Sequence, residues 1–354
     1  MIAEIDFNIT TVLQSKLQNI SLDNVPFGKY FSDHMLEVDY ENGKWQTPFI
    51  KPYQPLSLDP SLAALHYGQA IFEGIKAYKD ADGKAQIFRP YDNFKRFNLS
   101  AERMEMPQVP EHIFIDGLRK LVNLEIDWIP AKADHSLYIR PFMFSTDEAI
   151  GVKPSSKYKF LIILSPTGPY YASPMRIYAE EKYVRSVMGG YGNAKAAGNY
   201  AGALKAASIA NKQGFDQVLW MDAFEHKYVE ECGTMNVFFA IGDKIITPSL
   251  TDGTILAGVT RDSAITLLQD EGFVIEERKL SIDEIMDAYK AGTLKEIFGT
   301  GTAATISMIK ELRYKDFVML FDTSKWSIAP MVKSKMDAIK YGQVPDSHNW
   351  MVAV

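Results

Sequence analysis

The sequence predicts a two-domain protein of mixed α and β structure, and three observations carry that expectation. The chain has 354 residues, more than one hydrophobic core usually organises. Strand-like and helix-like hydrophobic periodicities follow one another along its length. A Pro/Gly/Ser-rich stretch, Ser165-Pro166-Thr167-Gly168-Pro169 with Ser173-Pro174, punctuates the middle. The junction is expected there, near 166–175. That gives a smaller N-terminal domain over 1–168, a linker over 169–178 and a larger C-terminal domain over 179–354.

The elements follow in order. Glu111–Trp128 has helical spacing at Phe114, Ile115, Leu118, Leu121 and Val122. Ser136–Phe144 alternates, with Tyr138, Arg140 and Phe142 on one strand face and Leu137, Ile139 and Met143 on the other. Tyr158–Leu164 is a continuous apolar run of buried-strand length. Asn199 is placed to cap a helix through Ala203, Leu204, Ala207 and Ala210, which stops at Gly214. Strands are expected over Gln217–Met221, Thr234–Ile241 and Lys244–Thr247. A helix then leads from Gly258 through Leu268, followed by a strand over Phe273–Arg278 and a helix over Ile282–Tyr289. The last strand, Leu294–Phe298, runs into Gly299-Thr300-Gly301-Thr302.

Composition narrows the function classes. A formal net charge of −6, with no basic tract interleaved with aromatics, gives no general attraction to nucleic acid or anionic membrane. The single Cys232 excludes an intramolecular disulfide and fits a reducing compartment. The first ten residues hold Glu4 and Asp6 rather than a basic and then apolar leader, and no apolar run approaches about 18 residues. A cytoplasmic location is the expectation.

Gly189-Gly190-Tyr191-Gly192-Asn193-Ala194-Lys195-Ala196-Ala197-Gly198-Asn199-Tyr200 sets one lysine among mostly small residues. Lysine becomes chemically useful when a tailored pocket lowers its pKa. Small neighbours leave room for a bulky planar partner, which a lysine joined to pyridoxal phosphate as a Schiff base requires. Read alone, the segment is equally a solvated Gly-rich surface loop.

Such a cofactor also needs an acid at its pyridine nitrogen and a cradle for its phosphate. Glu231, in Val229-Glu230-Glu231-Cys232-Gly233-Thr234-Met235-Asn236, is the candidate acid. Strand alternation sets it with Val229 on one face, and Glu230 with Tyr228 on the other. A carboxylate there would keep the nitrogen protonated. Two turns into helices are candidate cradles: Gly258-Val259-Thr260 and Gly299-Thr300-Gly301-Thr302. Arg96, in Phe88-Arg89-Pro90-Tyr91-Asp92-Asn93-Phe94-Lys95-Arg96, can add a bidentate contact. Each has an ordinary structural reading as well: solvated glutamates, generic turns, an exposed helical arginine. The chain lacks a G-x-x-x-x-G-K-[ST] loop, which argues against nucleotide hydrolysis.

These motifs do not stand alone. Phe27-Gly28, Asp33-His34-Met35, His66-Tyr67, Phe72-Glu73-Gly74, Tyr138-Ile139-Arg140-Pro141, Gly258-Val259-Thr260-Arg261 and Phe298-Gly299-Thr300-Gly301-Thr302-Ala303 occur in one order with them. Over nearly the whole chain the set resembles the branched-chain amino acid aminotransferases, which are fold-type IV pyridoxal phosphate enzymes. The resemblance implies a two-domain α+β, mixed α/β fold with its active site at the domain interface. It implies a homodimer that moves an amino group between leucine, isoleucine or valine and 2-oxoglutarate by ping-pong chemistry, with no metal.

Residue roles come with the resemblance. Lys195 would be the Schiff-base lysine and proton shuttle. Tyr200 would hydrogen-bond the cofactor's phenolic oxygen and Glu231 its pyridine nitrogen, with Thr234 in the same cofactor site. Arg96, Val259, Thr260 and Thr302 would hold the phosphate, Val259 and Thr260 largely through backbone N–H groups. The Thr302-Ala303 turn would offer backbone donors to the substrate α-carboxylate. Phe27, Tyr67, Phe72, Tyr138 and Tyr170 would line the side-chain pocket, some across a dimer interface, and Arg140 would meet the distal carboxylate of glutamate. A D-amino acid aminotransferase or aminodeoxychorismate lyase would share Lys195, Glu231 and the cradle but differ in that pocket. A non-catalytic pyridoxal phosphate-binding protein would not need Arg140. Some relatives carry a Cys-x-x-Cys pair after the Gly-Thr turn; here Thr302–Ser307 has no cysteine, which excludes thiol regulation at that spot.

Overall fold

Leu137, Ile139 and Met143 are fully buried on one face of the long strand, and Arg140 and Phe142 are half-buried on the other. The alternation in the sequence is therefore a real difference in burial between the two faces of the strand. The computed structural model describes residues 6–171 and 173–354. The chain divides into two compact units that are not consecutive in sequence. One holds Met1–Tyr170, Ala194–Gly198 and Ile339–Val354; the other holds Tyr171–Asn193 and Asn199–Ala338.

The first unit is built on a ten-stranded sheet. Its strands are β1 (Asn8–Ile9), β2 (His34–Glu41), β3 (Lys44–Trp45), β4 (Phe49–Pro52), β5 (Ala70–Phe72), β6 (Ile75–Lys79), β7 (Ala85–Phe88), β8 (Ser136–Ser145) and β9 (Tyr158–Thr167), with Met351–Ala353 at one edge. The order is β1-β4-β2-β9-β8-β6-β7 and then that C-terminal strand, with β5 added beside β8. Helices α1 (Ala63–Tyr67), α2 (Pro90–Arg103) and α3 (Gly117–Leu124) complete it. Phe97, Phe114 and Phe160 pack ring against ring within its core, Phe114 stacked on Phe160 and Phe97 edge-on to Phe160. The expected helix over Glu111–Trp128 is wound in three ways: a wide π turn at His112–Asp116, then α3, then a tight 3-10 turn at Ile126–Trp128. Gly117 lies where the winding changes, and a Cβ there would come within 2.6 Å of Leu36 Cδ1, so close packing fixes that point.

The second unit has a nine-stranded sheet in the order β12-β11-β10-β17-β16-β13-β14-β15, with β18 on β17. The strands are β10 (Met175–Ala179), β11 (Gln217–Met221), β12 (Val229–Cys232), β13 (Asn236–Ile241), β14 (Lys244–Thr247), β15 (Val274–Glu277), β16 (Leu294–Gly301), β17 (Thr305–Tyr314) and β18 (Phe317–Leu320). Its helices are α5 (Val259–Asp270) and α6 (Ile282–Lys290), with most of α4 (Ala197–Lys212) and of α7 (Ile328–Lys340). Among the described residues, no helix is long and apolar enough to cross a membrane.

Three local expectations are corrected. Asn199 does not cap α4: the helix already runs from Ala197, and the Asn199 amide donates instead to the Tyr191 carbonyl at 2.9 Å. The strand expected from Thr234 starts at Asn236, because Gly233 and Thr234 form the turn that reverses the chain after β12. Gly299-Thr300-Gly301 stays in β16 and Thr302–Ala304 turns into β17, so that second glycine-threonine segment makes a β-hairpin and opens no helix.

Candidate active site

Lys195 belongs to a pinned segment, not to a solvated loop. Its N–H donates to Ser100 Oγ at 2.9 Å, its carbonyl accepts from the Phe72 N–H at 3.0 Å, and Ala196 bridges to Ile71. Ala194 and Ala196 on either side are buried in the first unit's core. The small neighbours thus anchor the backbone while the half-buried lysine side chain projects, with Nζ 5.0 Å from the Phe72 ring centre.

Phe72-Glu73-Gly74 is the support of this half of the site. Glu73 is fully buried and grips Arg96 at both ends, Nε to Oε1 at 2.7 Å and Nη2 to Oε2 at 2.8 Å. The Gly74 N–H donates to the same carboxylate at 3.0 Å. A bidentate pair of this kind fixes the guanidinium plane. Arg96 is therefore not the exposed helical arginine its sequence context allows; it is an oriented, buried cation on α2. Gly74 is sterically required, since a Cβ would lie 2.4 Å from the Tyr138 hydroxyl oxygen.

Arg140 is held differently. Its Nη2 donates to the Tyr138 hydroxyl at 2.8 Å, and its guanidinium carbon lies 4.4 Å from the Phe72 ring centre and 5.3 Å from that of Tyr138. Nε is buried without a hydrogen-bond partner among the described residues. Among the described residues no carboxylate forms an ion pair with it. Phe27 packs edge-on to Tyr138 at 4.8 Å and to Tyr170 at 5.1 Å. Phe27, Phe72, Tyr138 and Tyr170 thus form an aromatic wall in contact with a cation that lacks an anion. Tyr67, on α1, is 41% exposed and rests only on His66 among these rings.

In the second unit, Glu231 is buried on β12. It accepts from the Leu256 N–H at 3.0 Å and from Asn236 Nδ2 at 3.4 Å. Arg185 Nε approaches its Oε2 at 2.9 Å, a charge contact whose N–H is not aligned as a hydrogen bond. Arg185 also donates to the carbonyls of Gly192 and Thr254. Simple alternation does not sort Glu230 from Glu231. Leu219 faces Cys232 and Met221 faces Val229, so β12 carries an extra residue, a bulge that both glutamates occupy. Their contacts distinguish them instead.

The cradle side is partly as expected. Val259 and Thr260 are the first two residues of α5, and Gly258 at its cap position has no side chain to satisfy the helix start. A Cβ on Gly258 would lie 2.0 Å from Asn236 Oδ1, while Asn236 Nδ2 donates to the Leu256 carbonyl at 2.9 Å. One asparagine therefore braces both this turn and Glu231. On the hairpin, Thr300 Oγ1 is buried and has no hydrogen-bond partner among the described residues, and Thr302 and Ala303 are half-buried in the turn. A helix start without a side-chain cap and an orphaned threonine hydroxyl suit a phosphate dianion. Tyr200 is half-buried on α4, and Thr234 is exposed on its turn.

Sequence reasoning missed Glu73, Arg185 and Asn236 as contributors. Glu73 and Asn236 lay inside quoted motifs without a role; Arg185 carries no local signal, because its partners are remote in sequence. Conversely, Asp33-His34 is a structural cluster. Asp33 binds Ser15, the Lys16 N–H and Trp128 Nε1, and His34 pairs with Glu125. Burial pushes the Asp33 carboxyl up, but those hydrogen bonds outweigh it and hold it below the usual range. Burial raises Glu125. Cys232 is fully buried, which raises its thiol and leaves it inert.

The sequence profile of the class IV amino-transferases matches residues 70–312, a span that includes Phe72, Arg96, Arg140, Lys195, Glu231 and Thr302. The chain belongs to the class IV aminotransferases. Among relatives of this aminotransferase, a probable branched-chain-amino-acid aminotransferase of Staphylococcus aureus (strain N315) is 48% identical over 343 residues, covering 95% of each chain. Branched-chain-amino-acid transaminase 1 of Bacillus subtilis (strain 168) is 48% identical over 334 residues, covering 93% of this chain and 94% of its own. Among solved structures, a branched-chain amino acid aminotransferase of T.th. complexed with N-(5'-phosphopyridoxyl)-L-glutamate superposes with a TM-score of 0.71 at 25% identity. The match covers 89% of this chain and 98% of that one. The two-unit α+β architecture is that of the fold-type IV enzymes.

Proposed function

We propose that this aminotransferase moves the amino group between leucine, isoleucine or valine and 2-oxoglutarate, using pyridoxal 5'-phosphate. The reading rests on the names of its relatives and on one observation in this chain: Arg140, a half-buried cation without an anion, set in an aromatic wall. An aliphatic side chain finds apolar ring faces there. A glutamate side chain finds a guanidinium for its distal carboxylate. One pocket can thus take both partners, because the arginine keeps its tyrosine and ring contacts when the substrate brings no charge.

When bound, the cofactor supplies the electron sink that stabilises negative charge at the substrate's α carbon. The chain's residues do the rest. Lys195 Nζ would hold the cofactor and would carry the α proton. Glu231, kept in place by Leu256 and Asn236, favours the protonated pyridine nitrogen. Tyr200 takes the phenolic oxygen, and Thr234 completes that contact set. Arg96, oriented by Glu73, joins Val259, Thr260 and Thr302 at the phosphate. Backbone N–H groups of the Thr302-Ala303 turn receive the α-carboxylate. The proposed enzyme is a homodimer in the cytoplasm. In that dimer some of Phe27, Tyr67, Phe72, Tyr138 and Tyr170 would line the side-chain pocket from across the interface.

The test is a substrate survey of the purified, cofactor-loaded protein. Leucine, isoleucine and valine should each convert 2-oxoglutarate to L-glutamate, and D-alanine or aminodeoxychorismate should not react. Turnover of D-alanine in preference to L-leucine would replace this reading with the D-amino acid one.

A further inference from the structure

The second unit carries a pocket that the amino-transfer chemistry does not use. Its walls come from Val187 and Met188, the loop around Phe224, and the segment from Pro248 to Ile255, with Glu230 at its base. No residue assigned above to cofactor or substrate lines it. Its volume, about 100 Å³, is several times what one water needs. Met188 and Phe224 are exposed apolar side chains, 57% and 76% accessible, so the mouth is greasy.

The base is the opposite. Glu230 is 7% exposed, and its Oε2 has no hydrogen-bond partner among the described residues. The neighbouring acids are already committed. Asp222 accepts from the N–H groups of Phe224, Glu225, Lys227 and Tyr228, and Asp252 is paired with Lys279 at 2.9 Å. Glu230 lines the cavity, and a buried carboxylate oxygen without a partner calls for a donor. We propose that this pocket binds a small organic cation, an amidinium or guanidinium on a compact apolar body, with its N–H groups on Glu230 and its apolar part against Met188 and Phe224. Two parallel N–H donors match a carboxylate. A metal ion fits poorly: among the described residues no group of three or more ligating side chains could hold one.

Burial pushes the Glu230 carboxyl up to about 7; the Thr254 hydrogen bond and the Arg185 charge oppose this, while Glu231 and Asp222 add to it. Lys279, Asp252, Glu225 and Tyr228 are the other titratable groups lining the pocket. A cation binds the ionised carboxylate, so affinity should rise as pH climbs through 7 and weaken roughly tenfold from pH 8 to pH 6.

Benzamidinium chloride is a suitable probe, titrated calorimetrically into the cofactor-loaded protein. One saturable site per chain is expected at pH 8. Benzamide, the neutral analogue, should bind at least about tenfold more weakly. Glu230→Gln, which keeps the shape, should lose at least about tenfold in affinity while leucine turnover stays unchanged. Should that variant not fold, Phe224→Ser at the exposed rim carries the test, with a severalfold loss expected. Absence of saturable binding overturns the proposal. So does equal affinity of wild type and Glu230→Gln, or of wild type and Phe224→Ser if that variant stands in.

Discussion

Two arginines of the first unit share one aromatic neighbourhood and differ in what they touch. Arg96 is clasped bidentately by the buried Glu73, which follows Phe72 directly in the chain. Arg140 lies over the Phe72 ring itself, and its polar contact is the hydroxyl of Tyr138. Charge compensation built into the fold marks a group that orients something else. A cation left without a carboxylate is costly unless an anion arrives, and that marks a binding position. The difference fits Arg96 as a fixed, oriented cation and is the basis for proposing Arg140 as the group that meets a substrate carboxylate.

The largest expected effect lies beside both. Lys195→Ala should reduce turnover by at least about a thousandfold, with the fold intact, because neither arginine nor the ring hydroxyls can form a Schiff base in its place. Borohydride reduction and peptide mapping of the wild type should place the pyridoxyl group on Lys195; a label on Lys205 or Lys212 would move the site.

The next effect separates the arginines by stability. Glu73→Gln leaves the buried Arg96 charge without this counter-charge, and should destabilise the protein by about 3 kcal/mol or more in denaturant unfolding of the cofactor-free form. Arg140→Met removes a cation that has no carboxylate to lose, so its unfolding should stay within about 1 kcal/mol of wild type. Equal destabilisation by the two would erase the distinction.

The sequence showed one arginine better than the other. Strand alternation placed Arg140 beside Tyr138 on the face away from Leu137 and Ile139, and the fold keeps them there. Periodicity suffices when both partners sit on one strand. It could not show that Glu73 clasps Arg96, which is 23 residues away, or that Arg185 reaches Glu231. Both contacts depend on how remote segments pack. Alternation also failed at Glu230 and Glu231, where a bulge adds a residue to β12. The Gly299–Thr302 segment looked like the start of a helix because glycine and threonine serve hairpins and helix starts alike.

The central claim is that Arg140 waits for a carboxylate that leucine lacks. Single-turnover absorbance of Arg140→Met, measured separately with leucine and with glutamate, tests it most directly. A charge-assisted bidentate contact contributes about 1.5–3 kcal/mol, so kcat/KM for glutamate should fall by about 10- to 150-fold. The leucine half-reaction should change only a few-fold, roughly within 1 kcal/mol. Equal losses for the two substrates would contradict the account and return Arg140 to a structural role.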